Sequence, residues 1–131
     1  MIKFFSNYRI IFYFINSSLI FLYLYPGSLL GLLIYGNKKI QPQITPDLLI
    51  STNHFYVFIL VSAIGFLTFL KTRLVKILTI YLILLSIILE CLHLIIPGRT
   101  FQWPDLFGNL IGVMVVILFK NLINKYGVFK K

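Results

Sequence analysis

Residues 74–96, LVKILTIYLILLSIILECLHLII, decide the fold of this chain. Only Lys76 and Glu90 are charged in this segment, and most of the other residues are leucine or isoleucine. A helix of about 17 to 25 mostly apolar residues is long enough to cross the hydrocarbon core of a bilayer. The segment is therefore predicted to be a transmembrane helix.

Three further apolar segments accompany it, at residues 10–25, 54–70 and 105–123. The first is short if it ends before Pro26, and the apolar residues 29–35 either extend it past a kink or lie along the interface. Because no small-x-small cleavage site follows the first segment, we expect an uncleaved helix and not a signal peptide. The pattern predicts an all-α fold, an integral membrane four-helix bundle, with residues 1–131 forming a single transmembrane domain.

The composition excludes an ordinary soluble domain, because 60% of the residues are hydrophobic and only 11% are charged. The formal net charge of +9 would suggest a nucleic-acid partner in a soluble protein. Here membrane topology explains that charge better, so we expect the lipid bilayer as a partner and no nucleic acid.

The basic residues are unevenly divided between the two sides of the predicted bundle. Nine of the twelve flank one set of helix ends, and three flank the other set. Since Lys and Arg near helix ends are retained in the cytoplasm, both termini are predicted to be cytoplasmic. The larger group comprises Lys3, Arg9, Lys71, Arg73, Lys76, Lys120, Lys125, Lys130 and Lys131, and the smaller group comprises Lys38, Lys39 and Arg99.

Most other ionisable residues lie near the opposite, extracytoplasmic ends, where Asp47 and both histidines join the remaining acids. At helical spacing Glu90 and His93 share a stripe with Ser86 on the predicted third helix. We expect Glu90 to lie roughly 10 Å below the helix end, with Arg99 and His93 as its nearest partners. The candidate ligand-binding cluster consists of His54, Glu90, His93, Arg99, Asp105 and Asn109.

The same cluster also fits a purely structural interpretation, in which ion pairs and hydrogen bonds hold the helices in register. Asp105 follows Pro104, and an acid in the first turn of a helix favours the positive end of the dipole without any further role. Gly108 and Gly112 form a small-xxx-small pair that predicts close helix packing.

These residues, in this order, resemble the VanZ-like family of small bacterial membrane proteins. The resemblance covers about half of the chain and rests on Asn53-His54-Phe55, Glu90-x-x-His93, Pro97-Gly98-Arg99, Asp105, Asn109 and Gly112. It departs from the family pattern at two places. His93 stands where the family usually has glutamine, and Ile50 and Ser51 replace the Asp-Lys pair common before the histidine.

The resemblance implies a multi-pass protein of the bacterial cytoplasmic membrane and a cell-envelope setting. The family is named for a member associated with low-level resistance to the glycopeptide teicoplanin. The resemblance supplies no reaction.

Three functions therefore compete. The preferred one is binding of an envelope lipid, a precursor or a glycopeptide-related ligand at the extracytoplasmic cluster, with Arg99 contacting phosphate or carboxylate. An enzyme would use Glu90 or His93 as acid or base and Arg99 to stabilise negative charge. A proton-linked transporter would need an assembly of identical copies, in contact through Gly108 and Gly112.

We expect no cofactor and no resident metal ion. A metal variant of the enzyme hypothesis starts from the i, i+3 pair Glu90 and His93, with His54 and Asp105 as additional ligands.

Overall fold

The computed structural model describes residues 2–126, and within them it contains five helices and no strand. Lys130, Lys131 and the side chain of Lys3, which were counted in the topology prediction, lie outside this description. The all-α prediction is confirmed. The helices are α1 (Ile2–Leu24), α2 (Leu29–Tyr35), α3 (Thr52–Phe69), α4 (Val75–Leu92) and α5 (Trp103–Tyr126).

Helices α3, α4 and α5 are each long and apolar enough to cross a membrane. Helices α1 and α2 together make a fourth candidate span, but their axes differ by 83°. Within residues 2–126, three helices can therefore span a bilayer, or four if the bent pair counts as one span. Of the two conformations that the sequence left open for residues 29–35, the structure shows a separate helix directed across the end of α1.

Helix α4 ends at Leu92, four residues before the predicted end. The next residues form tight turns, in which the amides of His93 and Leu94 donate to carbonyls three residues earlier. Pro97 cannot continue a helix. Gly98 adopts a φ of 74°, which suits glycine, and the chain turns there towards α5. Glu90 consequently lies in the last turn of α4, closer to the helix end than the sequence predicted.

The closest helix approach is between α3 and α5, at Gly108 and Gly112. A Cβ atom on Gly108 would lie 2.6 Å from the carbonyl oxygen of Ser51, and one on Gly112 would lie 2.7 Å from that of Phe55. Real Cβ atoms do not approach so closely, so these two positions need glycine for the helices to cross at this distance. Both glycines face α3 within the same chain, so they are not available for the predicted contact with a second copy of the chain.

The core lies between α1, α3, α4 and α5, with apolar side chains buried among them. The opposite face of α5 is exposed at Phe107, Ile111, Met114 and Leu118, as expected for a surface that meets lipid. The buried apolar residues are Phe12, Leu19, Tyr23, Phe58, Val61, Phe66, Phe69, Leu78, Leu82, Leu85, Leu89 and Val113.

The two ends of the helices differ in charge. At the end that carries the α3–α4 connection, the hydroxyl of Thr68 donates to the carbonyl of Tyr8, and the Lys120 ammonium lies 4.9 Å from the centre of the Phe66 ring. The starts of α1 and α4 and the end of α5 therefore lie together there, with most of the described basic residues. We name this the α3–α4 end, and the opposite one the α4–α5 end.

Candidate functional site

Asn109 is the centre of a buried polar cluster at the α4–α5 end. It is fully buried on α5, and its side chain contacts three other helices. The amide nitrogen donates to the carbonyl of Ser86 on α4, at 3.2 Å. The amide oxygen accepts from the Tyr23 hydroxyl of α1, at 2.8 Å, and lies 3.1 Å from His54 Nδ1 of α3. One side chain thus connects α1, α3, α4 and α5.

The neighbours of Asn109 fix the protonation of the His54 ring. A carbonyl such as that of Ser86 can only accept, so the atom facing it must be the amide nitrogen of Asn109. The oxygen of the same amide then faces His54 Nδ1, which must carry a hydrogen to donate. The other ring nitrogen, Nε2, lies 3.6 Å from Asp105 Oδ2.

Glu90 is fully buried between the two histidines. One carboxylate oxygen, Oε1, accepts from the backbone amide of Gln102 at 2.9 Å. The other, Oε2, lies 3.3 Å from His93 Nδ1 and 4.0 Å from His54 Nδ1. Among the described residues Oε2 has no hydrogen bond. The structure therefore places His93 and His54 beside Glu90, as the predicted cluster requires, and Gln102 is a neighbour that the sequence did not predict.

Arg99 has a different position from the one expected beside Glu90. Its Nε donates to the carbonyl of Tyr25 at 3.2 Å, and its Nη2 donates to the carbonyl of Leu22 at 2.9 Å. These carbonyls lie at the C-terminal end of α1, where the last carbonyls of a helix have no N–H donor within the helix and where a cation is favoured. Nη1 lies 3.4 Å from Gln41 Oε1. Arg99 therefore caps α1 and joins it to the loop between α2 and α3.

Partial burial lowers the pKa of the Arg99 guanidinium from its ordinary value. That ordinary value is so high that the side chain stays charged near neutral pH. Three of its five N–H donors have the partners given above.

The two remaining acids differ in environment. Asp105, in the first turn of α5, is half-buried and faces His54. Asp47 is exposed, and its Oδ1 accepts from the backbone amide of Thr52 at 2.8 Å at the start of α3. The structure therefore brings all the predicted cluster residues to the α4–α5 end and leaves Asp47 outside, as a helix cap.

No known protein family, no curated protein and no solved structure matches this chain in the three comparisons.

Two cavities adjoin the polar cluster. The apolar cavity, about 230 Å³, lies beneath α2 and between α1 and α3, with Leu19, Leu22 and Val57 among its lining residues. The cationic cavity, about 240 Å³, is bordered by Lys38 and Lys39 and by the turn after α4. The residues that line both cavities are Ser28, Gln41, His93 and Arg99.

Sequence patterns could not have indicated several of these residues. Tyr23 is one of many aromatic residues in an apolar helix, yet its hydroxyl and its carbonyl contact Asn109 and His93. Ser28 and Gln41 lie in the connection between α1 and α3, where the sequence carries no periodic pattern. Lys38 and Lys39 were predicted only as loop residues on the extracytoplasmic side, without a role in a binding site.

Proposed function

We propose that this protein binds an anionic amphiphile, an envelope lipid or lipid-linked precursor, at its α4–α5 end. The observation that carries the proposal is the junction of the two cavities at Ser28, Gln41, His93 and Arg99. The apolar cavity and the cationic cavity share these lining residues. Together they suit a molecule with a hydrocarbon chain at one end and a negatively charged group at the other.

The cationic cavity supplies the anion-binding half. Lys38, Lys39 and Arg99 line it against a single carboxylate, that of Asp105. Arg99 is held by the carbonyls at the end of α1, so its orientation is fixed before any ligand arrives. Positioned guanidinium and ammonium groups favour phosphate, because charge-assisted hydrogen bonds are stronger than neutral ones.

The apolar cavity supplies the chain-binding half. Leu19, Leu22 and Val57 line it from α1 and α3, and Leu29 and Leu30 line it from α2. Because α2 lies nearly perpendicular to α1, it covers the cavity as a short helix in the plane of the interface would. A hydrocarbon chain in this space would replace contacts with bilayer lipid by contacts with the protein.

The proposed setting follows from topology and resemblance. We infer that α1 with α2, α3, α4 and α5 form a four-span bundle with both termini cytoplasmic, so the α4–α5 end is extracytoplasmic. The VanZ-like resemblance supports placing the protein in the bacterial cytoplasmic membrane, in an envelope role that includes altered sensitivity to glycopeptides. No enzymatic step is needed for this function.

The experiment measures lipid binding to the purified protein by native mass spectrometry in detergent, with an anionic phospholipid and a zwitterionic phospholipid of the same chains. We expect the anionic lipid to bind at least fivefold more tightly. The variant Lys38→Gln/Lys39→Gln should lose most of that preference. The matched control, Lys71→Gln/Arg73→Gln, removes the same charge at the α3–α4 end and should keep it. Equal binding of both lipids to the unmodified protein would contradict the proposal.

A second candidate function is acid–base catalysis on a bound phosphate ester, favoured by the position of His93. This residue lines both cavities and lies 3.3 Å from the buried Glu90, so His93 could exchange a proton with a bound group while Glu90 supports it from behind. Release of inorganic phosphate from a lipid diphosphate by the purified protein, absent in Glu90→Gln, would favour catalysis over binding alone.

A further inference from the structure

The second carboxylate oxygen of Glu90 is an unusual buried atom. Glu90 is 0% exposed, and Oε2 has no hydrogen bond among the described residues. A buried oxygen of an ionised carboxylate without a partner is costly, because desolvation is not repaid. A proton or a cation must therefore lie against it.

The neutral form of His93 cannot supply the missing proton. His93 Nε2 lies 3.1 Å from the carbonyl of Tyr23, so that nitrogen carries a hydrogen. In the neutral ring the other nitrogen, Nδ1, then presents a lone pair to Glu90 Oε2, at 3.3 Å. Two lone pairs would face one another unless something positive lies between them or beside them.

The same conflict occurs a second time at His54. Its Nδ1 donates to Asn109, so in the neutral ring Nε2 presents a lone pair to Asp105 Oδ2, at 3.6 Å. Two separate protons would resolve the two conflicts. One doubly charged ion, placed where both carboxylates and Nε2 of His54 can reach it, would also resolve them.

We propose that His54, Glu90 and Asp105 bind one divalent transition-metal ion. One ligand atom from each of the three side chains lies within 4.8 Å of the others. Ligand atoms that share an ion with bonds of about 2.1 Å lie within roughly 4.2 Å of each other. Nε2 of His54 lies 3.6 Å from Asp105 Oδ2, whereas the His54 atom 4.0 Å from Glu90 Oε2 is Nδ1, so binding requires the imidazole to shift until Nε2 reaches both carboxylates. Asn109 orients His54 as a carbonyl partner commonly orients a metal-binding imidazole.

The donor set selects the kind of ion. One imidazole nitrogen and two carboxylate oxygens suit Zn²⁺, Mn²⁺ or Fe²⁺, whereas Mg²⁺ prefers oxygen ligands alone. Asp105 also borders the cationic cavity, so an ion in the cluster can exchange through that space. The ion would add two positive charges beside the two carboxylates, without requiring either histidine to be protonated.

The test uses the full chain, purified in detergent, stripped with a chelator and then dialysed against Zn²⁺, Mn²⁺ or Mg²⁺. Bound metal is measured by mass spectrometry, and the midpoint of thermal unfolding is measured on the same samples. We expect about one Zn²⁺ or Mn²⁺ per chain, a higher unfolding midpoint with either ion, and no competition from Mg²⁺ at equal concentration.

Glu90→Gln and Asp105→Asn should each weaken binding at least tenfold. The matched control is Asp47→Asn, which should bind metal normally. Asp47 is a carboxylate in the same half of the protein, and it accepts hydrogen bonds from Thr52 at the start of α3 and from the side chain of Gln43. Absorption bands of Co²⁺ bound to the unmodified protein give a second measurement that needs no variant. Substoichiometric metal in folded protein, or equal binding by all three variants, would overturn the proposal.

Metal binding by the cluster does not depend on lipid binding in the two cavities. Lipid binding is measured on chelator-stripped protein, and metal binding is measured without added lipid. Loss of one with retention of the other identifies which proposal fails.

Discussion

The side-chain oxygen of Asn109 lies 3.1 Å from His54 Nδ1 and also accepts the Tyr23 hydroxyl hydrogen bond at 2.8 Å. A residue of α5 thus orients a histidine of α3 and a tyrosine of α1. The site and the packing of the bundle depend on the same amide, so changes to it affect both.

Replacing Asn109 with leucine should destabilise the fold. The change leaves the Tyr23 hydroxyl, a ring nitrogen of His54 and the carbonyl of Ser86 without their partner, at an expected cost of about 1–3 kcal/mol for each group that stays unpaired. The measurement is the midpoint of thermal unfolding in detergent. Asn121→Leu, at an exposed position on the same helix, is the control and should unfold at the unmodified midpoint. Identical midpoints for the two variants would show that Asn109 is not a connecting residue.

Gly112→Ala should also destabilise the protein, through sterics alone. The added Cβ would lie 2.7 Å from the Phe55 carbonyl and 3.0 Å from the Phe58 Cβ, so α3 and α5 would have to separate. Overpacking of this kind costs about 1–3 kcal/mol. Thermal unfolding again reports the loss, and Ile111→Ala on the exposed face of α5 provides the comparison. A Gly112→Ala protein that unfolds at the same temperature as Ile111→Ala would contradict this crossing geometry.

Arg99→Lys should loosen the end of α1, although it retains the charge. A lysine ammonium cannot reproduce the fork with which Arg99 contacts the carbonyls of Leu22 and Tyr25. We expect amide hydrogen exchange in residues 22–28 to be at least threefold faster, with little change in α3. Arg73→Lys in the exposed α3–α4 connection should leave that exchange unchanged. Slow exchange in the Arg99→Lys protein would show that the cap is dispensable.

Leu22→Trp should reduce lipid binding without removing any charge. Leu22 lines the apolar cavity, so the larger ring fills space that a hydrocarbon chain would occupy. We expect at least fivefold weaker binding of the anionic lipid in native mass spectrometry. Leu67→Trp places the same ring on α3, where the side chain is 69% exposed, and should bind normally. Comparable binding by both variants would place the hydrocarbon chain elsewhere.

Single-cysteine variants should report the orientation in the membrane. Cys91 is the only cysteine of the chain, so Cys91→Ala provides the background. Leu48→Cys, in the long connection where the side chain is 91% exposed, should react with an impermeant maleimide added to intact spheroplasts. Asn124→Cys, near the end of α5, should react only after the membrane is opened, because the positive-inside rule places that end in the cytoplasm. The reverse pattern would invert the proposed topology.

The sequence predicted the helical segments well, because a transmembrane helix is defined by length and hydropathy, which are local properties. Three of the four predicted spans coincide with α3, α4 and α5 to within a few residues. The error at the end of α4 arose because residues 94–96 are apolar and therefore extend the hydrophobic segment, while Pro97 ends the helix before them. Residues 27–53 were not predictable, since α2 and its loop are positioned by contacts with distant residues.

Periodicity also indicated which residues could meet, since His54, Glu90, Asp105 and Asn109 each lie on a small or polar stripe. Periodicity could not predict which of these side chains contact one another. Arg99 was expected, with His93, as one of the two nearest partners of Glu90, yet it caps α1 instead, because unpaired carbonyls at that helix end lie within its reach.

The sequence by itself determined that this chain is helical, that it is apolar enough for several membrane spans, and that its acids and histidines lie near one set of helix ends. Only the tertiary structure decided that Tyr23 and Gln102 complete the cluster, that Glu90 Oε2 is left without a hydrogen bond, and that two cavities meet beside Arg99. The physical reason is that hydropathy and periodicity act within one segment. Hydrogen bonds between side chains and cavities between helices depend on how the segments approach one another.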